Sequence, residues 1–502
     1  MDLSSTSPAA RWLRALRRTV SGESNTPRKP SNSSICDEIL KRAQGVFLAG
    51  KPKPFKFRIA QLEAIVQMLE NDESLFVEAL ENDLHKPRFE TLLSEITTVK
   101  NEACYAISNL EKWMQPEYIK KSITSIFDDC FVQREPMGVV LIIGGWTFPF
   151  QLCLIPLIGA IAAGNCVILK LSAISSSASE LLQKLLPNYL DNECYHLIGG
   201  EIDLTDILES KFDHIFFTGD SITAKLIMQS ACKYLTPVSL VVGGKNPCYV
   251  DKDCDVPVAA RRIALARFTN AGQSSLAPDY VLCHGDRRDK LMQALHSSVQ
   301  EFYGKDPQKS AHFGRLVNVE QYRHVKQLLT CGNVAFGGDT EESDKYIAPT
   351  VLVDVQEMDP IMQQDILGPV LPVLTVHGLE EAIEFINKRE RPWATYVYSD
   401  NSQVIAELIS RTSSGSFCSN DSAVQSVHVG LPWAGSGNRG GGVYGGRYGF
   451  DTFSQSRAYV LRHSVTECIT SFRYPPYLDK HLNLMLWVSS LSRKNDRWCQ
   501  IL

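Results

Sequence analysis

From Pro136 to Leu169 the chain carries no charged side chain, a run long enough to cross a bilayer. Its internal punctuation argues for a different structure. Gly144, Gly145, Pro149, Gln151 and Pro156 break the apolar sequence into pieces. Residues 137–143 read as a buried strand, 144–148 as a turn, 150–163 as a buried helix and 165–169 as a second strand. Strands apolar on both faces and joined by a helix belong to a parallel sheet covered on both sides.

The same grammar continues downstream. An apolar run at 212–217 is followed by a turn at Thr218-Gly219 and helical spacing at 222–232. A strand at 237–242 is closed by Gly243-Gly244. A helix at 256–270, a strand at 279–283 and a helix at 291–303 follow. Alternating strands and helices predict an α/β fold. Residues 430–449 are so rich in glycine that they read as loop. That loop holds Gly435-Ser436-Gly437-Asn438-Arg439-Gly440, a literal GxGxxG. With no strand before it and more glycine after it, it lacks the helix start that would hold a pyrophosphate.

Charge and cysteine usage narrow the function classes. A net charge of −5 gives no reason to expect nucleic acid as a partner. The 14 cysteines include no CxxC pair, which predicts reduced thiols in a cytosolic setting. The 11 histidines include no HExxH, so no metal is expected.

The two ends are distinctive. Residues 1–34 are rich in Ser, Pro and Arg and read as a disordered basic extension. Within it Arg11, Arg14, Arg17 and Arg18 alternate with Trp12, Leu13 and Leu16. This is a short basic amphipathic helix suited to anionic lipid or, alternatively, to a mitochondrial address. The chain closes with Cys499-Gln500-Ile501-Leu502, a prenylation box whose terminal Leu favours a geranylgeranyl chain. Arg493, Lys494 and Arg497 offer the electrostatic second signal that stable anchoring needs. The apolar stretch 482–488 is too short to span a membrane and suits a lipid surface. These features place the protein on the cytoplasmic face of a membrane, either the plasma membrane or a lipid droplet.

The first half of the chain carries Glu135-Pro136-Met137-Gly138, Trp146, Pro149, Gly164-Asn165-Cys166 and Lys170. Phe217-Thr218-Gly219, Gly243-Gly244-Lys245-Asn246-Pro247, Asn270-Ala271-Gly272-Gln273, Gly368-Pro369 and Leu431-Pro432 follow in that order. This order of motifs resembles the aldehyde dehydrogenase family, and within it family 3, member B type. The resemblance implies an atypical Rossmann cofactor domain at 35–112 and 134–241, and an α/β catalytic domain at 242–419. It also implies a small β oligomerisation unit at 113–133 and 420–456 that usually makes a homodimer, here followed by a tail at 457–502. NAD or NADP and an apolar aldehyde are the implied ligands.

Family chemistry is covalent. A cysteine thiolate attacks the aldehyde, an Asn amide holds the oxyanion, hydride passes to the nicotinamide, and a Glu activates the hydrolytic water. Those three positions fall on Ser275, Thr147 and Val241. A serine hydroxyl needs a neighbouring base to become a nucleophile, and valine is not one. The cofactor contacts are altered as well. Trp146, Lys170 and Gly219 remain, but the ribose Glu is Ala173. The pyrophosphate turn reads Asp220 and Ala224, and the nicotinamide-ribose Glu and its aromatic neighbour are Asp365 and Leu367. A carboxylate at 220 repels phosphate from the same helix start it caps. The resemblance so modified implies weak cofactor binding and an aldehyde dehydrogenase scaffold with absent or residual oxidation. Two alternatives stand beside it. One is an active oxidoreductase that turns medium- or long-chain aldehydes into acids through another thiol, Cys418 or Cys153. The other is an esterase built on Ser275.

Overall fold

The computed structural model describes residues 32–121, 128–435, 437, 440–462 and 473–489. The basic helix at 11–18, the GxGxxG residues Ser436, Asn438 and Arg439, and the prenylation box with Cys499 lie outside them.

The charge-free stretch folds as a strand Val139–Ile143, a helix Pro149–Ala163 and a strand Cys166–Lys170. All fifteen helix residues are buried, because the helix lies between the sheet and a layer of amphipathic helices. Proline at its first turn and Gly164 in a left-handed conformation at its end set its limits. Among the described residues no helix is long and apolar enough to cross a membrane.

Two parallel sheets dominate. The first has five strands in the order Tyr195–Ile198, Cys166–Lys170, Val139–Ile143, His214–Gly219 and Val238–Val242. The second has seven among the described residues, and of these only the outermost, Asn333–Phe336, runs antiparallel. Its centre is formed by Tyr280–His284 and Pro247–Val250. A third, antiparallel sheet pairs Glu117–Tyr118, Asp128–Pro136 and Ser454–Arg462.

Several expected boundaries move. The helix Asn32–Leu48 starts inside the stretch read as a disordered extension, because Cys36, Leu40 and Ala43 form a buried stripe. Thr218 and Gly219 are strand rather than turn, since they pair with Val241 and Val242. The last strand runs to Arg462, which closes on Asp128 with 2.8 Å between Nε and Oδ1. The segment 430–449 is not all loop. It contains a short pair Trp433–Ala434 and Val443–Tyr444, and the helix Gly446–Thr452 starts within it. Gly449 serves contact rather than slack: a Cβ on Gly159 would meet Gly449 backbone at 3.1 Å. The two helices therefore touch backbone to backbone.

Among the described residues the core holds one imidazole. His214 is 3% exposed, neither ring nitrogen has a hydrogen-bond partner, and its edge packs on Phe453. Burial lowers its pKa from 6.5 to about 4. The unfolded chain takes up this proton near pH 6.5 and the folded one only near pH 4. The stability involved is therefore present above 6.5 and lost as the pH falls toward 4. Between pH 7.5 and 5 this group removes about 2 kcal/mol. His214→Leu should lose that share of the pH dependence in urea titrations, and identical slopes for variant and parent would refute this.

Candidate active site

The winding of the five-stranded sheet reverses between Val139–Ile143 and His214–Gly219. Ligands of such sheets bind outside the carboxyl ends of the strands at this reversal. The turn carrying Trp146 and Thr147 leaves one of these ends, and Asp220 leaves the other. Val241 lies in the neighbouring strand, opposite Thr218 and 1% exposed. The link from Gly243 to Asn246 then crosses to the second sheet. A Cβ on Gly243 would lie 3.5 Å from Asp365 Oδ2 and 3.9 Å from Ser275 Cβ. Ser275, Asp365 and the end of the Val241 strand thus share one cleft.

Hydrogen bonds fix the walls of this cleft. Asn270, Ala271 and Gly272 are all left-handed, with φ of 55°, 50° and 74°. The two non-glycine residues cost roughly 1–2 kcal/mol each. Their surroundings hold them there. Asn270 N–H donates to Glu90 Oε2 at 2.8 Å, and Asn270 Nδ2 donates to Thr147 O at 2.9 Å and Gln273 O at 3.0 Å. Gln273 Nε2 donates to Asn270 O and Arg315 O, while its oxygen accepts from Val317 N–H. Asn246 Nδ2 donates to Ser275 O at 2.7 Å and Ala277 O at 3.0 Å. Burial pushes the Glu90 carboxyl up to about 7, against the opposing pull of the Asn270 N–H and Lys86.

A buried ion pair supports the Thr147 turn from behind. Lys86 and Glu95 are both fully buried, 2.7 Å apart, and Lys86 Nζ sits 4.1 Å above the Phe148 ring. Glu95 lies in a π-helical turn, Leu92–Thr97, and accepts from Phe150 and Gln151 N–H at the start of the buried helix. Neither Glu90 nor this pair was singled out from sequence. A lysine between His85 and Pro87 gives no local sign that it is buried.

The chemistry available is limited. The Ser275 hydroxyl has no hydrogen-bond partner among the described residues, and the Val241 side chain offers no proton acceptor. His324 faces the Asp365 backbone oxygen at 3.1 Å rather than its carboxylate. Among the described residues no serine–histidine–carboxylate relay is assembled around Ser275. Thr147 is 8% exposed and presents a hydroxyl where an amide is expected.

Residues 24–459 match the family model described as the aldehyde dehydrogenase family. The chain belongs to the aldehyde dehydrogenase family. It is similar to human aldehyde dehydrogenase family 3 member B1, 46% identical over 450 residues, covering 89% of this chain and 96% of that one. It is also similar to canine "Aldehyde dehydrogenase, dimeric NADP-preferring", 44% identical over 449 residues, covering 89% and 99%. Among solved structures, a substrate-bound Staphylococcus aureus AldH superposes with a TM-score of 0.86 at 34% identity, covering 90% of this chain and 99% of that one.

In this member of the family, burial disfavours the thiolate at the two alternative thiols, Cys153 and Cys418. Burial pushes Cys153 up to about 12 and Cys418 up to about 11, with Glu95 and Asp421 adding to the respective shifts. Cys153 is packed against Gly144. Both stay protonated at neutral pH.

The cofactor positions differ along the cleft. At the pyrophosphate end Asp220 caps the helix Ser221–Cys232, accepting from Ile222 N–H at 2.9 Å and Thr223 N–H at 2.8 Å. Thr223 Oγ1 donates to its other oxygen, and Ala224 is buried behind it. The Asp220 carboxylate thus already occupies amides of the kind that hold a phosphate at a helix start. Asp365 borders Gly243, and Leu367 is left-handed at φ 42°. At the adenosine end the donor chemistry does fit a ribose. Lys170 Nζ donates to Leu171 O at 3.0 Å and Gly199 O at 2.7 Å, leaving one of three N–H groups for a ligand. Trp146 is half-buried, Gly219 is exposed and Ala173 carries no acceptor.

Proposed function

We propose that this member of the aldehyde dehydrogenase family is a scaffold in which aldehyde oxidation is absent or residual. The observation that carries the reading is the cleft itself: Ser275 without a base, Val241 buried where a carboxylate is needed, and Thr147 in place of the oxyanion amide. Losing a covalent nucleophile costs about 10⁶ in rate. Loss of one oxyanion donor costs about 10²–10³. These losses do not multiply, because the groups act as a unit. NAD or NADP binding is weak in this reading, since Asp220 occupies the pyrophosphate position. The purified protein with hexadecanal and NAD or NADP should turn over below about 0.1 s⁻¹, a hundredth of a typical kcat. Faster turnover would sink the reading.

The protein acts at a membrane in this proposal, anchored on the cytoplasmic face of the plasma membrane or a lipid droplet by a geranylgeranyl chain on Cys499. The helix Asp479–Ser489 supports it, because Leu482 and Leu486 on it, and Leu478 just before it, recur every fourth residue and are all exposed. Cys499→Ser should move the protein from the particulate to the soluble fraction; unchanged fractionation would exclude the prenyl anchor. A homodimer is part of the same proposal. The strand Ser454–Arg462 is the outer strand of its sheet, with Val460 and Leu461 exposed, and the canine relative is named as dimeric.

A further inference from the structure

The carboxylate missing at Ala173 has an acidic neighbour. The strand Tyr195–Ile198 runs beside Cys166–Lys170 with Ile198 opposite Lys170, and it ends in Gly199-Gly200-Glu201. Gly200 leans directly on the depleted position: a Cβ on Gly200 would lie 2.6 Å from Ala173 Cα. Glu201 folds its carboxylate back over Gly199, so closely that a Cβ on Gly199 would collide with both of its oxygens. Gly199 is also the residue whose carbonyl accepts from Lys170 Nζ at 2.7 Å. Three features therefore converge at the ends of two adjacent strands: an ammonium with one N–H to spare, a flat floor without side chains, and a carboxylate. The Glu201 carboxylate has no hydrogen-bond partner among the described residues. Burial holds the Lys170 ammonium below the ordinary lysine range, and Glu201 is the foremost of the charges opposing that shift.

We propose that Glu201 supplies, from the neighbouring loop, the ribose-gripping carboxylate that position 173 has lost, and that it makes the cleft select an adenosine ribose with a free 2′-hydroxyl over a 2′-phosphorylated one. An ionised carboxylate only accepts hydrogen bonds, and its two oxygens match the two O–H donors of a vicinal diol. A 2′-phosphate brings no donor in its ionised form and places like charge against Glu201. The Lys170 ammonium then serves a hydroxyl oxygen on the other side. The inference rests on the reading that the cofactor half still opens onto a nucleotide, but it does not depend on whether the nicotinamide end reacts.

Adenosine and adenosine 2′-monophosphate are the right probes, because neither carries a 5′-phosphate toward Asp220. Calorimetric or saturation-transfer NMR titrations at millimolar concentration should show adenosine binding the parent protein about tenfold tighter than its 2′-phosphate. Glu201→Gln, on an exposed loop residue, should shrink that ratio to about threefold or less without shifting the unfolding temperature. Glu201→Lys should invert it. Equal binding of the two probes by the parent, an unchanged ratio in Glu201→Gln, or no adenosine binding would each overturn the assignment. The two readings fail separately. Rapid hexadecanal turnover with the ratio intact would end the inert-scaffold reading alone, and a flat ratio without turnover would end this one alone.

Discussion

Thr147→Asn, Val241→Glu and Ser275→Cys, introduced together, should raise hexadecanal oxidation at millimolar NAD by about 10³-fold or more over the parent. The cleft walls are already in place. Asn270 holds the Thr147 carbonyl and Asn246 holds the Ser275 carbonyl, so the new side chains enter an ordered frame. Ser275→Cys alone should acylate without efficient turnover, since nothing at 241 activates the hydrolytic water. The triple variant should also be less stable than the parent, because Val241 is a buried strand residue and a buried carboxylate pays for desolvation. A folded triple variant, verified by its unfolding transition, that is no faster than the parent would show that these three positions are not what the cleft lacks.

Lys86→Met and Glu95→Gln should each cost about 3–5 kcal/mol in stability, and the two together distinctly less than the sum. Each single change leaves a full charge buried without its partner. The double change leaves no charge, and the Gln oxygen still caps Phe150 and Gln151 N–H. A double-mutant cycle in urea measures the coupling. Additive costs would mean that the pair does not act as a unit. The cycle also bears on the cleft, because Lys86 stacks on Phe148, next to Thr147.

How much of this was legible in the sequence follows from where information resides in a chain. The strand, turn, helix and strand of 137–170 were readable because a parallel sheet buries both faces of its strands and leaves a charge-free run. The end of the strand at Thr218-Gly219 was not, because its extension depends on pairing with Val241 and Val242, and register between strands has no local mark. The segment 430–449 misled for a related reason. Glycine signals loop by conformational freedom, yet Gly449 is there to bring a helix onto Gly159. The proposed catalytic positions 147, 241 and 275 could be named from the sequence because they stand inside dense motifs. The residues that hold them were not: Glu90, Lys86 and Glu95 act across the fold. Glu201 had a weak signal, as an acid directly after paired glycines at the end of a sheet strand.

The contact of Gly159 with Gly449 leaves a seam with no spare room. One added methyl group on Gly159 would act as a wedge there, since its carbon would lie 3.1 Å from the Gly449 backbone. It would pry the helix that leads into the strand Ser454–Arg462 away from the main body. The smallest possible enlargement of a side chain would thus be felt at the surface where two copies of the chain are proposed to meet.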